Sequence, residues 1–324
     1  MLAALIPDSQ RRTFAELRDR LDLSAGDRSA KRSAFWVMLT MSALIAVAGV
    51  VSDSTATVIG AMIVAPLSTP ILGVGLGITA GRGKLIAISL LHVFGGLVVV
   101  VLLGILFAQV LPSPASVLNN SQVLGRTSPA LMDLVAAVST GFVGAIAIAR
   151  RDVGDVLPGV AIAISLVPPL AVVGVCLGSG ALSLAAGALV LFASNVVAMI
   201  ITATMVFVVA GYAVEVHGEA GHHRRHAYSL LAIALIVVAI PMVVNSLSAL
   251  WAQQVNTLAD DWLADTPNAE VTDVSWQGGT ATISVLGPAA LPPVDRLADS
   301  VDALIPWHTE VQVVHTYGSR ITPK

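Results

Sequence analysis

The stretch from Thr57 to Ala80, TVIGAMIVAPLSTPILGVGLGITA, constrains the fold more than any other part of this chain. It is long enough to cross a bilayer, since about 20 apolar residues span the hydrocarbon core. Yet Pro66 and Pro70 sit near its middle, and Gly73, Gly75 and Gly77 follow at alternating positions. Proline has no backbone N–H, and its ring clashes with the preceding turn. Inside lipid, the carbonyls freed in this way need partners from protein, water or a bound solute. A span interrupted at mid-depth is therefore a packed kink or a binding site.

The rest of the chain has the same character. Of 324 residues, 56% are hydrophobic and 11% charged, against about 25% charged in an average soluble domain. That points to a polytopic membrane protein. Apolar spans are expected at Ala34–Val51, Thr57–Ala80, Leu85–Leu111, Leu131–Ala149, Val156–Leu177, Leu182–Val214 and Tyr228–Leu250. Basic residues in short loops set orientation. Seven lie before the first span, and Arg82, Lys84, Arg150, Arg151, Arg224 and Arg225 fall in loops on the same side. Only Arg126, Arg296, Arg320 and Lys324 fall on the other. The N-terminus is thus expected in the cytoplasm and the C-terminus outside. Arg far exceeds Lys, and Ala and Val are abundant, which suggests a GC-rich bacterial genome and a plasma-membrane location. The single cysteine, Cys176, excludes a disulfide framework.

Both ends differ from the spans. Residues 1–33 form a charged segment in which Phe14, Leu17 and Leu21 recur at helical spacing. It reads as an amphipathic helix on the membrane surface or as a solvated cytoplasmic helix. Residues 251–324 read as a small extracytoplasmic α+β domain. Trp251, Val255, Leu258 and Trp262 continue a helix out of the last span. Glu270–Trp276 and Thr280–Leu286 form a hairpin around Gly278-Gly279, with Ala281, Ile283 and Val285 on one face. Val294, Leu297, Val301 and Leu304 then mark a helix, and Thr309–Thr316 a third strand. This order resembles the small lipid- or ligand-associating domains called BON domains. His222 and His226, spaced i, i+4, lack an acidic or Cys partner, so a plain charge cluster outweighs a metal site.

The second and fifth spans echo each other. Gly60, Ile63, Leu67, Pro70, Val74 and Gly75 align without gaps on Gly159, Ile162, Leu166, Pro169, Val173 and Gly174, an offset of 99 residues. The same offset relates Asp53 to Asp152. The two spans run in opposite directions, so spans one to three and four to six are expected to form a 3+3 inverted repeat with one span added. Interrupted Gly- and Pro-rich helices at matching positions of such repeats point to secondary transporters. At Ile59-Gly60-Ala61-Met62, Pro66-Leu67, Pro70-Ile71 and Leu166-Val167-Pro168-Pro169-Leu170 the chain resembles the prokaryotic membrane family filed as domain of unknown function 389. Ala65 and Ser68 stand where that family more often has Ser and Met. The resemblance spans residue 34 to about 215 and implies a fold, not a settled activity.

Polar groups in apolar spans are costly and mark candidate sites. Pro66, Ser68, Thr69 and Pro70 surround the first interruption, and Ser165, Pro168 and Pro169 the second. With Asn195 in the sixth span they form the expected solute site. The competing account has the hydroxyls satisfying carbonyls freed by proline. His92 is a candidate proton relay or a packed histidine. Asp53 and Asp152 are candidate gating groups or helix caps. There is no His-Glu zinc motif, no Gly-x-Ser-x-Gly elbow and no pair of mid-depth carboxylates, so no enzymatic role is expected. The favoured reading is a carrier or channel for a small polar or anionic solute. The alternative is a receptor that senses a ligand or envelope component through its outer domain. The expected partners are the solute, membrane lipids and further copies of the chain as a trimer or dimer, approaching at Gly95, Gly96 and Gly104. No cofactor and no nucleic acid are expected.

Overall fold

The computed structural model describes residues 6–110, 120–153, 166–216, 221–277, 280–288, 290–304 and 310–318. The chain divides into two compact units, Met1–Met242 and Val243–Lys324. In the first, helix α1 (Phe14–Leu21) leads into α2 (Arg28–Val51), α3 (Thr55–Val64), α4 (Ser68–Thr79), α5 (Gly83–Val110), α6 (Ser121–Thr127), α7 (Leu131–Ala149), α8 (Val167–Gly178), α9 (Leu182–Val209) and the short α10 (Tyr212–Val216). Helix α11 (Gly221–Leu263) runs on into the second unit.

Among the described residues, five helices are long and apolar enough to cross a membrane: α2, α5, α7, α9 and part of α11. The pair α3–α4, bent by 47°, makes a sixth span if taken as one. The expected span Val156–Leu177 lies partly outside the described residues; its second part is α8. The expected span Leu182–Val214 ends earlier, at Val209, because Gly211 turns the chain at a φ of 83°. Large apolar side chains stand outward along these helices, Leu91 and Phe94 of α5 at 68% and 65% exposure. Contiguous apolar surface of that kind is stable in lipid and not in water.

The interruption at Pro66 follows from local chemistry. The residue before a proline is pushed out of the helical region, and Ala65 is extended, with φ −68° and ψ 123°. Helix α3 ends at Val64 and α4 restarts at Ser68. Helix α8 begins at Val167 with Pro168 and Pro169 in its first turn, where a missing N–H costs nothing. Helices α4 and α8 have 12 residues each, α5 and α9 have 28 each, and each pair is offset by 99 residues. Gly81 and Gly180 close α4 and α8 with φ of 65° and 77°, again 99 residues apart.

Close contacts fix how these helices pack. A Cβ on Gly75 of α4 would lie 2.8 Å from the Ala203 Cβ of α9. A Cβ on Gly174 of α8 would lie 2.8 Å from the Gly104 Cα of α5. Gly95 closes on Trp36 and Gly96 on Leu67, so the close approaches at Gly95, Gly96 and Gly104 are made inside this chain. They therefore supply no argument for contacts between copies.

Helix ends gather into two groups. In one, the Arg12 N–H donates to Ala149 O at 2.8 Å, the Arg151 N–H to Gln10 O at 2.8 Å, and the Tyr212 hydroxyl to Arg12 O at 2.8 Å. The Arg82 guanidinium stacks on Phe14 at 4.9 Å. This joins the N-terminal segment to the ends of α4, α7 and α9. In the other, Asn120 Nδ2 donates to Val50 O at 2.7 Å, Gln122 Nε2 to Thr55 Oγ1 at 2.8 Å, and Gln109 Nε2 to Gly178 O at 2.8 Å. Helix α1 is closed by a reciprocal cap between Thr13 and Glu16. Its stripe Phe14, Leu17 and Leu21 is buried in the core of this unit, α4 being a neighbour, and is not offered to a lipid surface.

In the second unit, β1 (Glu270–Gln277) pairs antiparallel with β2 (Thr280–Gly287), and β2 pairs parallel with β3 (Glu310–Tyr317) through α12 (Val294–Leu304). Parallel neighbours need such a crossover. The inward face of β2, Ala281, Ile283 and Val285, is fully buried with Leu297 and Val301 of α12 and Val255, Ala259 and Leu263 of α11. Val294 and Leu304, expected on the same stripe, are exposed because they end the 11-residue helix.

Candidate functional site

A polar cavity of about 240 Å³ lies among α6, α7, α8 and α9. Arg126 of α6, Asp133 of α7, Pro169 of α8 and Asn195 of α9 line it. Each is placed by its own helix. Asp133 is in the first turn of α7, where its Oδ2 accepts from the Ala130 N–H at 2.7 Å. Asn195 is buried at the middle of the 28-residue α9. Pro169 sits in the first turn of α8.

Arg126 reaches the cavity because α6 is tied down elsewhere. The short helix is capped by Asn120, whose side chain accepts from the Val123 N–H at 3.0 Å. The Asp53 carboxylate accepts from the Ser121 hydroxyl at 2.7 Å and the Gln122 N–H at 3.1 Å. Arg126 itself donates through Nη1 to Gln122 O at 2.8 Å and Gln122 Oε1 at 3.1 Å. Among the described residues no carboxylate lies within ion-pair distance of it. Burial presses its pKa down, yet a guanidinium stays charged in proteins. The cavity thus holds a partly buried cation that makes no direct ion pair among the described residues, with the Asp133 carboxylate on the same lining.

The first interruption borders a second cavity, of about 460 Å³, lined by Pro66 and Thr69 with Ala34, Phe35 and Met38 of α2. Its Lys31 is engaged by Asp19 at 2.7 Å. The expected solute residues are therefore divided: Pro66 and Thr69 line one cavity, Pro169 and Asn195 the other. Ser68 is half-buried at the start of α4, and Pro70 and Pro168 are buried in the first turns of α4 and α8. Ser165 lies outside the described residues. Prolines at 168 and 169 leave α8 without two of its first N–H groups, so the α8 terminus offers a dipole with few donors.

His92, Asp53 and Asp152 are not brought to either cavity. His92 Nδ1 is 2.8 Å from Ile88 O, and its ring stacks on Trp36 at 6.0 Å and meets Phe35 edge-on at 5.5 Å. That is the geometry of a packed side chain. Asp152 pairs with Arg150 at 2.6 Å, whose guanidinium holds the carboxyl below its usual range. Asp53, in the left-handed region at φ 51°, caps α6 and not its own helix, whose cap is Ser54. Hydrogen bonds from Ser121 and then Gln122 keep its pKa low. Arg126, which lines the polar cavity, is not among the residues expected from the sequence to form a site. Its signal was there: it is the lone basic residue in the membrane-domain loops that breaks the charge asymmetry. The side chains of His222 and His226 lie outside the described set.

A family model described as Domain of unknown function (DUF389) matches residues 62–201, which include both cavities' prolines, Arg126, Asp133 and Asn195. An uncharacterized protein of Methanocaldococcus jannaschii is 30% identical over 221 residues, 68% of this chain and 67% of the relative. No solved structure matches the chain. The sequence motifs around the two proline pairs, the extent of the family match and this relative lead to one assignment: the chain belongs to the family of domain of unknown function 389.

Proposed function

We propose that this protein is an integral-membrane carrier or channel for a small polar or anionic solute, held in the Arg126–Asn195 cavity. The observation that carries the reading is Arg126. Among the described residues its partly buried guanidinium makes no ion pair, which is costly, and the anionic group of an entering solute would offset that cost. Asn195 supplies an amide at the middle of α9, and one oxygen of Asp133 offers a second point for a polar solute.

An inverted repeat of three spans per copy, α2–α5 and α7–α9, fits the packing, and this reading adds α11 as a seventh span. Gly75 meets position 203, and Gly174 meets position 104; 75 and 174, like 104 and 203, are 99 residues apart. Reciprocal contact between corresponding positions is the mark of a two-fold relation. Helix α4 ends with the basic group of helix ends, and α8 ends with the other, so the two run oppositely. The axis then lies in the membrane plane, as in transporters with inverted repeats. The basic group would face the cytoplasm.

Purified protein in liposomes tests this. A panel of small anions and zwitterions should yield at least one solute whose flux depends on the protein. Arg126→Gln should slow that flux at least tenfold while the protein still folds. Equal flux in the variant would sink the cavity assignment, and no flux for any solute would favour a receptor. The receptor reading draws on one observation, a second unit with its own core.

A further inference from the structure

The group of basic helix ends contains a feature that the solute cavity does not use. A cavity of about 510 Å³ opens there, lined by Arg18, Arg28, Arg32, Arg82 and Lys84, with Asp22 as its one carboxylate among the described residues. Asp22 is already engaged. Its Oδ1 accepts from the Ser24 N–H at 2.8 Å and the Ser24 hydroxyl at 2.5 Å, its Oδ2 is 3.4 Å from Arg18 Nε, and its side chain is 4% exposed. It balances Arg18 at most.

Basic residues are common at cytoplasmic helix ends, and a solvated cluster is the ordinary outcome. The pairing pattern separates this cavity from that outcome. Around it, Arg11 pairs with Glu215, Lys31 with Asp19, Arg150 with Asp152 and Arg151 with Glu16, all within 2.8 Å. Among the described residues, Arg28, Arg32, Arg82 and Lys84 have no carboxylate within ion-pair distance. Four unbalanced cations therefore face one concave volume, while their neighbours on the same end are neutralised singly.

The walls are held in place. Arg82 is stacked on Phe14 at 4.9 Å, and Phe14 is buried. Arg28 and Arg32 stand in the first turns of α2. Gly83 and Lys84 open α5, so the positive end of a 28-residue helix adds to the same field. Leu85 and Ile88 form an apolar wall. Arg forks match phosphate oxygens in pairs, and four cations suit an anion of more than one charge.

We propose that this cavity is a binding site for a phosphate-bearing anion, separate from the solute cavity. Its chemistry is shared by two sources. A phospholipid headgroup can enter at the ends of α2 and α5, with its chains along Leu85 and Ile88. A soluble phosphate compound can enter from the aqueous side. Basic pockets between transmembrane helices on the cytoplasmic side bind such headgroups in general. Either occupant bridges the α1–α2 segment to the α4–α5 turn, and α4 carries the first interruption.

The test uses the full chain in nanodiscs. Binding of inorganic pyrophosphate is measured by calorimetry in phosphatidylcholine discs. Retention of phosphatidylglycerol is measured by native mass spectrometry from mixed discs. The expected result is binding of at least one probe, weakened on the order of 100-fold in R28Q/R32Q/K84Q, at about fivefold per charge near a membrane surface. Lipid retained against pyrophosphate competition assigns the headgroup; pyrophosphate binding that phosphatidylglycerol does not displace assigns the soluble anion. If the triple Gln variant does not fold, R28K/R32K, which keeps the charge, is compared with wild type across a salt series. Binding that weakens steeply with salt, and survives in the Lys variant with less than tenfold loss, supports the site. Neither probe binding to wild type, undiminished binding in the Gln variant, or binding insensitive to salt overturns it. The readout is binding, so it stands or falls independently of solute flux through the Arg126 cavity.

Discussion

Gly174 lies where α8 crosses α5, and replacing it with Ala tests the packing directly. The added Cβ would stand 2.5 Å from Val101 O, 2.8 Å from the Gly104 Cα and 3.2 Å from the Gly104 carbonyl carbon. All three are backbone atoms of one helix, so no flexible side chain can swing aside. Overpacking of this kind costs about 1–3 kcal/mol. Opposing it is the helix preference of Ala over Gly, about 0.8–1.0 kcal/mol. At the upper half of the overpacking range the net change is a loss of about 1–2 kcal/mol, or about 5–30-fold in the folded-to-unfolded ratio. Gly75→Ala should behave alike, since its Cβ would meet Ala203 Cβ at 2.8 Å, Thr204 N at 3.2 Å and Ile200 O at 3.3 Å. Gly60→Ala is the control: nothing lies within 4 Å of its Cβ, so the helix preference acts alone and the protein should gain stability. Reversible unfolding in mixed detergent micelles, followed by circular dichroism, reads all three. If Gly174→Ala matches or exceeds Gly60→Ala in stability, the α5–α8 contact is not as close as described and the reciprocal packing argument fails.

Leu17→Ala removes a fully buried side chain of α1 and should cost about 2–5 kcal/mol, lowering the melting temperature; an unchanged value would mean that α1 is not docked on the unit. Trp262 Nε1 donates to Pro293 O at 3.1 Å, so Trp262→Phe should lose about 1 kcal/mol, read as a shift in the denaturant midpoint. The folded pKa of Asp53 is lowered by hydrogen bonds from Ser121 and Gln122. Its contribution is therefore complete above the unfolded pKa of about 3.9 and is lost as pH falls through the lower folded value. Hydrogen exchange at Gln122 should rise in that window once corrected for the intrinsic pH dependence. Asp53→Asn, which tolerates the left-handed φ of 51° but removes the charge, should raise it at neutral pH. Exchange at Gln122 that is the same in wild type and variant would show that Asp53 does not hold α6.

Some of this architecture was legible in the chain alone. The interruption at Pro66 needs only a missing N–H and a displaced Ala65, both consequences of one residue. The hairpin around Gly278-Gly279 and the face Ala281, Ile283, Val285 follow from a period of two and a turn signal. The extension of α11 past Leu250 follows from the spacing of Val255, Leu258 and Trp262. The 99-residue echo could be read from six matches, and helices of equal length stand at the same offset. What the tertiary structure decided was which distant groups meet. Arg126 and Asn195 are 69 positions apart, and only the tethering of α6 by Asp53, Asn120 and Gln122 carries the guanidinium into their cavity. For His92 the sequence left a relay and a packed histidine both open, and only the fold brings Trp36 and Phe35 against its ring. The stripe of α1 suited a membrane surface or a solvated helix, yet the core of its own unit took it. Gly95, Gly96 and Gly104 permitted close approach without naming the partner. Periodicity and turn chemistry act over a few residues, and the chain records them locally. A cavity or a helix crossing depends on side chains brought together from separate segments, and no local pattern encodes which of several apolar faces will be the one that meets.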